Sequence, residues 1–67
     1  MEPVSSAIAK IDYNPDVLIL RITFTDGRIY EYYGVPLELA NLFMSAPSKG
    51  KFYTHNIRGH FNQQRIL

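Results

Sequence analysis

The sequence contains no cysteine and no tryptophan, and only four glycines and four prolines. The missing cysteine removes disulfides, thiolate metal sites and sulfur nucleophiles together, and it fits a cytoplasmic protein. Long hydrophobic runs are absent too. Nothing approaches the roughly 18–20 apolar residues of a membrane-spanning helix, and the N-terminus lacks the basic, apolar, small-residue order of a signal peptide. With no repeat, low-complexity segment or linker, residues 1–67 read as one small domain. Scarcest of all is negative charge in the second half. Residues 39–67 hold Lys49, Lys51, Arg58 and Arg65 without one acid, whereas residues 1–38 set six acids against three bases. The net charge of +1 therefore divides into −3 and +4, with His55 and His60 on the basic side.

What is present is the material of a core. Hydrophobic residues make up 46% of the chain, and five Tyr and four Phe supply bulk, which excludes a disordered tail. A domain of this size without a covalent or metal staple is marginally stable, and a homodimer would help it.

Apolar residues alternate as in strands up to Tyr33 and recur at helical spacing after Pro36, so residues 30–36 mark the hand-over from a sheet to helices that cover it. Residues 4–11 read as a first strand, with Val4, Ser6 and Ile8 on one side and Ala7, Ala9 and Ile11 on the other. Asp12, Asn14, Pro15 and Asp16 form a turn. Residues 17–24 read as the strongest strand, with Leu18, Leu20, Ile22 and Phe24 on one face. A three-residue loop with Gly27 left-handed pairs Arg21 with Glu31, Ile22 with Tyr30 and Leu20 with Tyr32. A two-residue Asp-Gly turn would instead place Ile22 opposite Glu31. The first register is preferred because it matches charge with charge and ring with aliphatic. It sends Tyr30 and Tyr32 to the apolar face and Tyr33 to the other.

Pro36 suits a first helical turn. Leu39, Leu42, Phe43 and Ala46, with help from Leu37, share one helix face, and Pro47 ends that helix. Ser48 caps a second helix running to about Ile57, with Phe52, Tyr53 and Ile57 inward and Gly59 as its stop. Residues 60–67 form a tail anchored by Phe61, Ile66 and Leu67. The expected fold is α+β: a three-stranded antiparallel meander followed by two short helices packed on one face.

Chemistry concentrates in residues 48–58. Nucleic acids demand cations for phosphate oxygens and flat groups for bases. Lys49, Lys51, Arg58 and Arg65 supply the first, and Tyr53 or the outward Tyr33 the second. Ser48, Lys49 and Gly50 at a helix start would suit a phosphate. The same residues also describe an ordinary amphipathic helix, lysines outside and aromatics inside. His55 and His60 lack a third metal ligand, Ser5 and Ser6 lack a nucleophile elbow, and the isolated glycines build no phosphate-cradling loop. A non-catalytic binding module is expected, without metal or cofactor.

Ser5-Ser6 with Ile8, Tyr30-x-Tyr32, Val35-Pro36, Ala46, Ser48-Lys49-Gly50, Ile57-Arg58-Gly59 and Phe61 occur in the order and at the spacing that resemble a KTSC domain. That family comprises small free-standing bacterial and phage proteins and a domain appended to the C-terminus of certain lysyl-tRNA synthetases. The resemblance implies RNA binding, to tRNA or another structured or single-stranded RNA, and carries no catalytic residue. The alternative is a protein-interaction or homodimerisation module using the second sheet face (Ile19, Thr23, Ile29 and Tyr33) or the edge of strand one.

Overall fold

The computed structural model describes residues 7–67. Four strands and two helical segments follow in order: β1 (Ile8–Asn14), β2 (Ile19–Phe24), β3 (Ile29–Tyr33), α1 (Leu37–Ser45), α2 (Lys49–Phe52) continuing as a π turn (Tyr53–Ile57), and β4 (Asn62–Arg65). All neighbouring strands are antiparallel, in the spatial order β1-β2-β3-β4. The class is the expected α+β, but the sheet has a fourth strand, inserted after the helices, where a tail was expected. Asn-Gln-Gln-Arg has neither β-branched residues nor alternation, and all four residues are exposed. Pairing with β3 makes it a strand, and no local propensity announces it.

The β2–β3 hairpin has the preferred register: Arg21 faces Glu31, Ile22 faces Tyr30 and Leu20 faces Tyr32. Gly27 adopts φ +96°, its N–H donates to the Phe24 carbonyl at 3.0 Å, and the Phe24 N–H donates to the Arg28 carbonyl at 2.8 Å. A Cβ on Gly27 would meet nothing within 4 Å, so only the left-handed backbone demands glycine. Gly27→Ala is therefore expected to cost about 1–2 kcal/mol, and Gly27→Asn less. Urea denaturation midpoints test this.

The first strand is displaced from its expected place. Residues 4–6 lie outside the described residues, and β1 continues through Asn14 rather than turning at Asp12. Tyr13 explains the extension, because its hydroxyl donates to the Val35 carbonyl at 2.6 Å across the sheet. A bulge between Ile8 and Lys10 sets Ile8 opposite Phe24 while Ile11 and Tyr13 oppose Ile22 and Leu20. The extra residue puts Ile8 on the same face as Ile11, where simple alternation would have separated them. Val17 and Leu18 belong to the turn, not to β2. Leu18 holds φ +57°, outside strand geometry, and its carbonyl accepts the Val35 N–H at 3.0 Å.

The core is Leu20, Ile22, Phe24, Tyr32, Val35, Ala40, Phe43 and Ile57. The inward faces of β2 and β3 meet α1 through Ala40 and Phe43. Pro36 stands one position before α1, in extended geometry, and its carbonyl accepts the Ala40 N–H at 3.1 Å. The helix is turned relative to expectation: Leu37 and Leu42 are exposed and Ala40 is buried in their stead. Phe43 stacks on Phe52 of α2, with centroids 5.4 Å apart and planes 13° from parallel, and that contact selects the buried face. Ile66 and Leu67 are also exposed, so of the expected tail anchors Phe61 alone packs on the core.

Candidate nucleic-acid interface

Ser48 caps α2 as expected, its Oγ accepting the Lys51 N–H at 3.3 Å. The i→i+4 ladder then widens into a π turn, a feature that often accompanies functional sites. Thr54, Asn56 and His55 brace this widened turn. Their side chains bond the Gly50, Phe52 and Lys51 carbonyls at 3.0, 3.3 and 2.9 Å. The segment runs across the sheet, and that path separates its cations. Lys49 lies towards the β1 edge, in a recess with Ile8, Lys10 and Met44, and its Nζ donates to the Ala46 carbonyl at 2.7 Å. Tyr53 and Arg58, at the far end, lie towards β3 and β4. Lys51 is exposed between them, and Gly50 is buried.

At that far end a recess of about 330 Å³ is lined by Phe24, Arg28, Tyr30, Tyr53, Arg58 and Gln63. Arg65 pairs with Tyr30 in the β3–β4 ladder and so lies on the same sheet face, its Nε donating to the Leu67 carbonyl at 3.0 Å. The rings form a connected cluster. Phe24 meets Tyr30 and Tyr53 edge to face at 6.0 and 5.7 Å, and Tyr53 meets Tyr32 at 5.9 Å. Phe24 is 8% exposed and carries the Arg28 guanidinium over its ring at 5.3 Å, so it forms the floor. Tyr30 and Tyr53 are half-buried and present ring surface at the walls.

The charges of the recess are unequal. Arg28 is paired with Asp26 at 2.7 Å. The Arg28 backbone N–H and then its guanidinium hold the Asp26 carboxyl below the usual range, with Arg65 adding to the effect from farther away. Arg58 has no ion-pair partner among the described residues. Counting side chains alone, Arg28, Arg58 and Arg65 outnumber Asp26 by two. The six residues expected to bind nucleic acid are therefore not gathered on one surface. Tyr53 and Arg58 line one recess with Arg65 on the sheet face beside it, Lys49 lies at the opposite edge, and Tyr33 points away. Sequence reasoning misses Arg28, Phe24 and Gln63, which topology adds from the hairpin and from β4, and it assigns Tyr30 to the core rather than to a stacking surface.

The outward sheet face is bridged by polar groups. Arg21 donates twice to Glu31 Oε2, at 2.6 and 3.2 Å, and the Tyr33 hydroxyl lies 3.1 Å from Glu31 Oε1 and 3.3 Å from Gln64 Oε1. The Arg21 hydrogen bond holds the Glu31 carboxyl below its ordinary range.

Tyr32 is fully buried, its hydroxyl 2.7 Å from that of Tyr53. Burial first, and the hydrogen bond second, push its phenol well above the ordinary value. The folded chain thus holds this proton to higher pH than the unfolded chain. The associated stability is whole below about pH 10 and is lost as pH rises beyond it. The urea midpoint is expected to fall above that pH, and to fall less steeply in Tyr32→Phe. Tyr33, raised by its own partial burial and by Glu31, keeps part of the slope.

Among the described residues no group of three or more His, Cys, Asp or Glu gathers as a metal site, and no helix is long and apolar enough to cross a membrane. Fold and recess together define a small α+β module with an arginine-rimmed, tyrosine-walled hollow beside its sheet. The chain belongs to the KTSC domain family, whose model matches residues 4–61. This family is not a known catalytic one. A crystal structure of a KTSC domain protein from Yersinia pestis is similar, with a TM-score of 0.86 and 44% identity, over 98% of this chain and 94% of that one. A Tsukamurella paurometabola protein is 40% identical over 62 residues, covering 91% of this chain and 92% of its own. A lysine–tRNA ligase of Nostoc sp. is 35% identical over 66 residues, which are 98% of this chain. The chain spans 12% of the length of that ligase.

Most of the motifs that carry the resemblance have structural roles. Tyr32, Val35, Gly50 and Ile57 are buried, Pro36 and Ala46 flank α1, Ser48 caps α2, and Gly59 turns at φ +78°. Arg58 is the exposed charged residue among them on the recess.

Proposed function

We propose that this protein is a non-catalytic RNA-binding module whose contact surface is centred on the recess between β3, β4 and the π turn. The observation that carries this reading is the meeting of Arg28 and Arg58 with the half-buried Tyr30 and Tyr53 rings in one recess, with Arg65 opposite Tyr30 in the neighbouring strand. Cations for phosphates and π-faces for bases are what RNA surfaces combine. The lysine–tRNA ligases that carry a similar segment lean the same way, since their substrate is an RNA. Lys51, exposed on the same helical segment, extends the positive surface. Lys49, with Ser48 and Gly50, would at most contact a more distant phosphate. The interaction-module reading has less to rest on at the outward face, where Arg21, Glu31, Tyr33 and Gln64 are engaged with one another; the edge of β1 is the other surface it could use.

The test is binding of unfractionated tRNA followed across a salt series. Two to three phosphate contacts predict a log-log slope of about −2 to −3. Absence of salt-sensitive binding at low ionic strength would sink the reading.

A further inference from the structure

We infer that the recess accepts one unpaired nucleotide, its base on the Tyr30 and Tyr53 rings and its flanking phosphates on Arg58 and Arg65. This rests on the RNA-binding reading above and adds which form of RNA fits. The volume of about 330 Å³ lies at the small end of ligand pockets, enough for one compact planar group and too small for a stack. The rings lie in the walls of a hollow and do not stand proud on a platform. Phe24, the floor, is already covered by Arg28, so the surfaces on offer are Tyr30 and Tyr53. A base inside an A-form duplex is stacked on both faces and paired along its edge, so it cannot enter such a hollow. An unpaired base can. Gln63, an exposed residue at the wall, has a side-chain amide with no hydrogen-bond partner among the described residues, and it offers both a donor and an acceptor to a base edge.

The experiment compares a mixed-sequence single-stranded RNA of about ten nucleotides, within the span a small module covers, with its own blunt duplex. Binding is read by anisotropy and by amide chemical shifts on the full chain. The single strand is expected to bind about tenfold tighter, the order of one stacked base. Gln63→Ala and Tyr30→Leu should shrink that preference several-fold, whereas Arg58→Ala should weaken both forms alike. If Tyr30→Leu loses its dispersed spectrum, Gln63→Ala, on an exposed strand position, decides. Equal, salt-sensitive binding of both forms overturns the single-nucleotide assignment and leaves RNA binding standing. A preference untouched by Gln63→Ala and by a folded Tyr30→Leu overturns it too. Binding of neither form removes the RNA reading, and this inference with it.

Discussion

Phe43→Ala is expected to remove between about a third and all of the protein's stability. Phe43 is fully buried and is among the largest side chains in the core. It joins α1 to α2 through its stack on Phe52 and packs both helical segments against the sheet. Removing a buried Phe side chain costs about 3–5 kcal/mol, from lost transfer energy and the cavity left behind. A domain of this length has roughly 3–10 kcal/mol in total. The substitution therefore consumes a third of the stability at best and all of it at worst. Leu42→Ala, one position earlier on a side chain 59% exposed, is expected to stay within about 0.5 kcal/mol of the parent. Circular dichroism melts of the pair measure the contrast directly. A folded Phe43→Ala variant within about 1 kcal/mol of the parent would mean that the helices are not held to the sheet as described.

Arg58→Glu combined with Arg65→Glu should abolish most of the RNA affinity while leaving the fold intact. Both side chains are exposed; Arg58 has no ion-pair partner among the described residues, and Arg65 donates to the Leu67 main-chain oxygen. Each reversal removes a phosphate contact and adds a repulsive charge, so the salt slope should fall by about two units and affinity by far more than tenfold. Lys49→Glu with Lys51→Glu makes the same change in net charge. If the recess is the contact surface, this second pair should have the smaller effect, because Lys49 lies at the opposite edge of the sheet and already serves the Ala46 carbonyl. Equal losses from both pairs would show a diffuse attraction without a site. Measuring the two pairs at one salt concentration separates place from charge.

The basic half was legible, but the surface it makes was not. Charge counting along residues 39–67 found Arg58 and Arg65, and aromatic content found Tyr53. It also groups them with Lys49, although adjacency in sequence is not adjacency in space. A helical segment that crosses the sheet separates its own two ends. Arg28 was hidden for the opposite reason: it sits in the acidic half, beside Asp26, and reaches the recess because the hairpin ends there. The hairpin register puts Tyr30 on the inner sheet face, but that face extends beyond the cover of the helices, which leaves its ring half-exposed. The signal that was available is the register itself. It put Phe24 and Tyr30 on one face near the hairpin end, and hence near whatever closes that end.

What the chain determined alone is whatever local geometry dictates. Glycine at 27 and complementary cross-strand pairs selected the hairpin register, the proline at 47 and the serine at 48 divided the helices, and alternation named the inner face of β2. Tertiary structure decided the rest: the bulge that redirected Ile8, the rotation of α1 that buried Ala40 and left Leu42 in water, and the conversion of a polar tail into β4. The reason is energetic. Turn and cap preferences are settled among neighbours within a few residues. The open backbone groups of β3 and the shape of the buried surface can be satisfied only by segments that arrive from elsewhere in the chain.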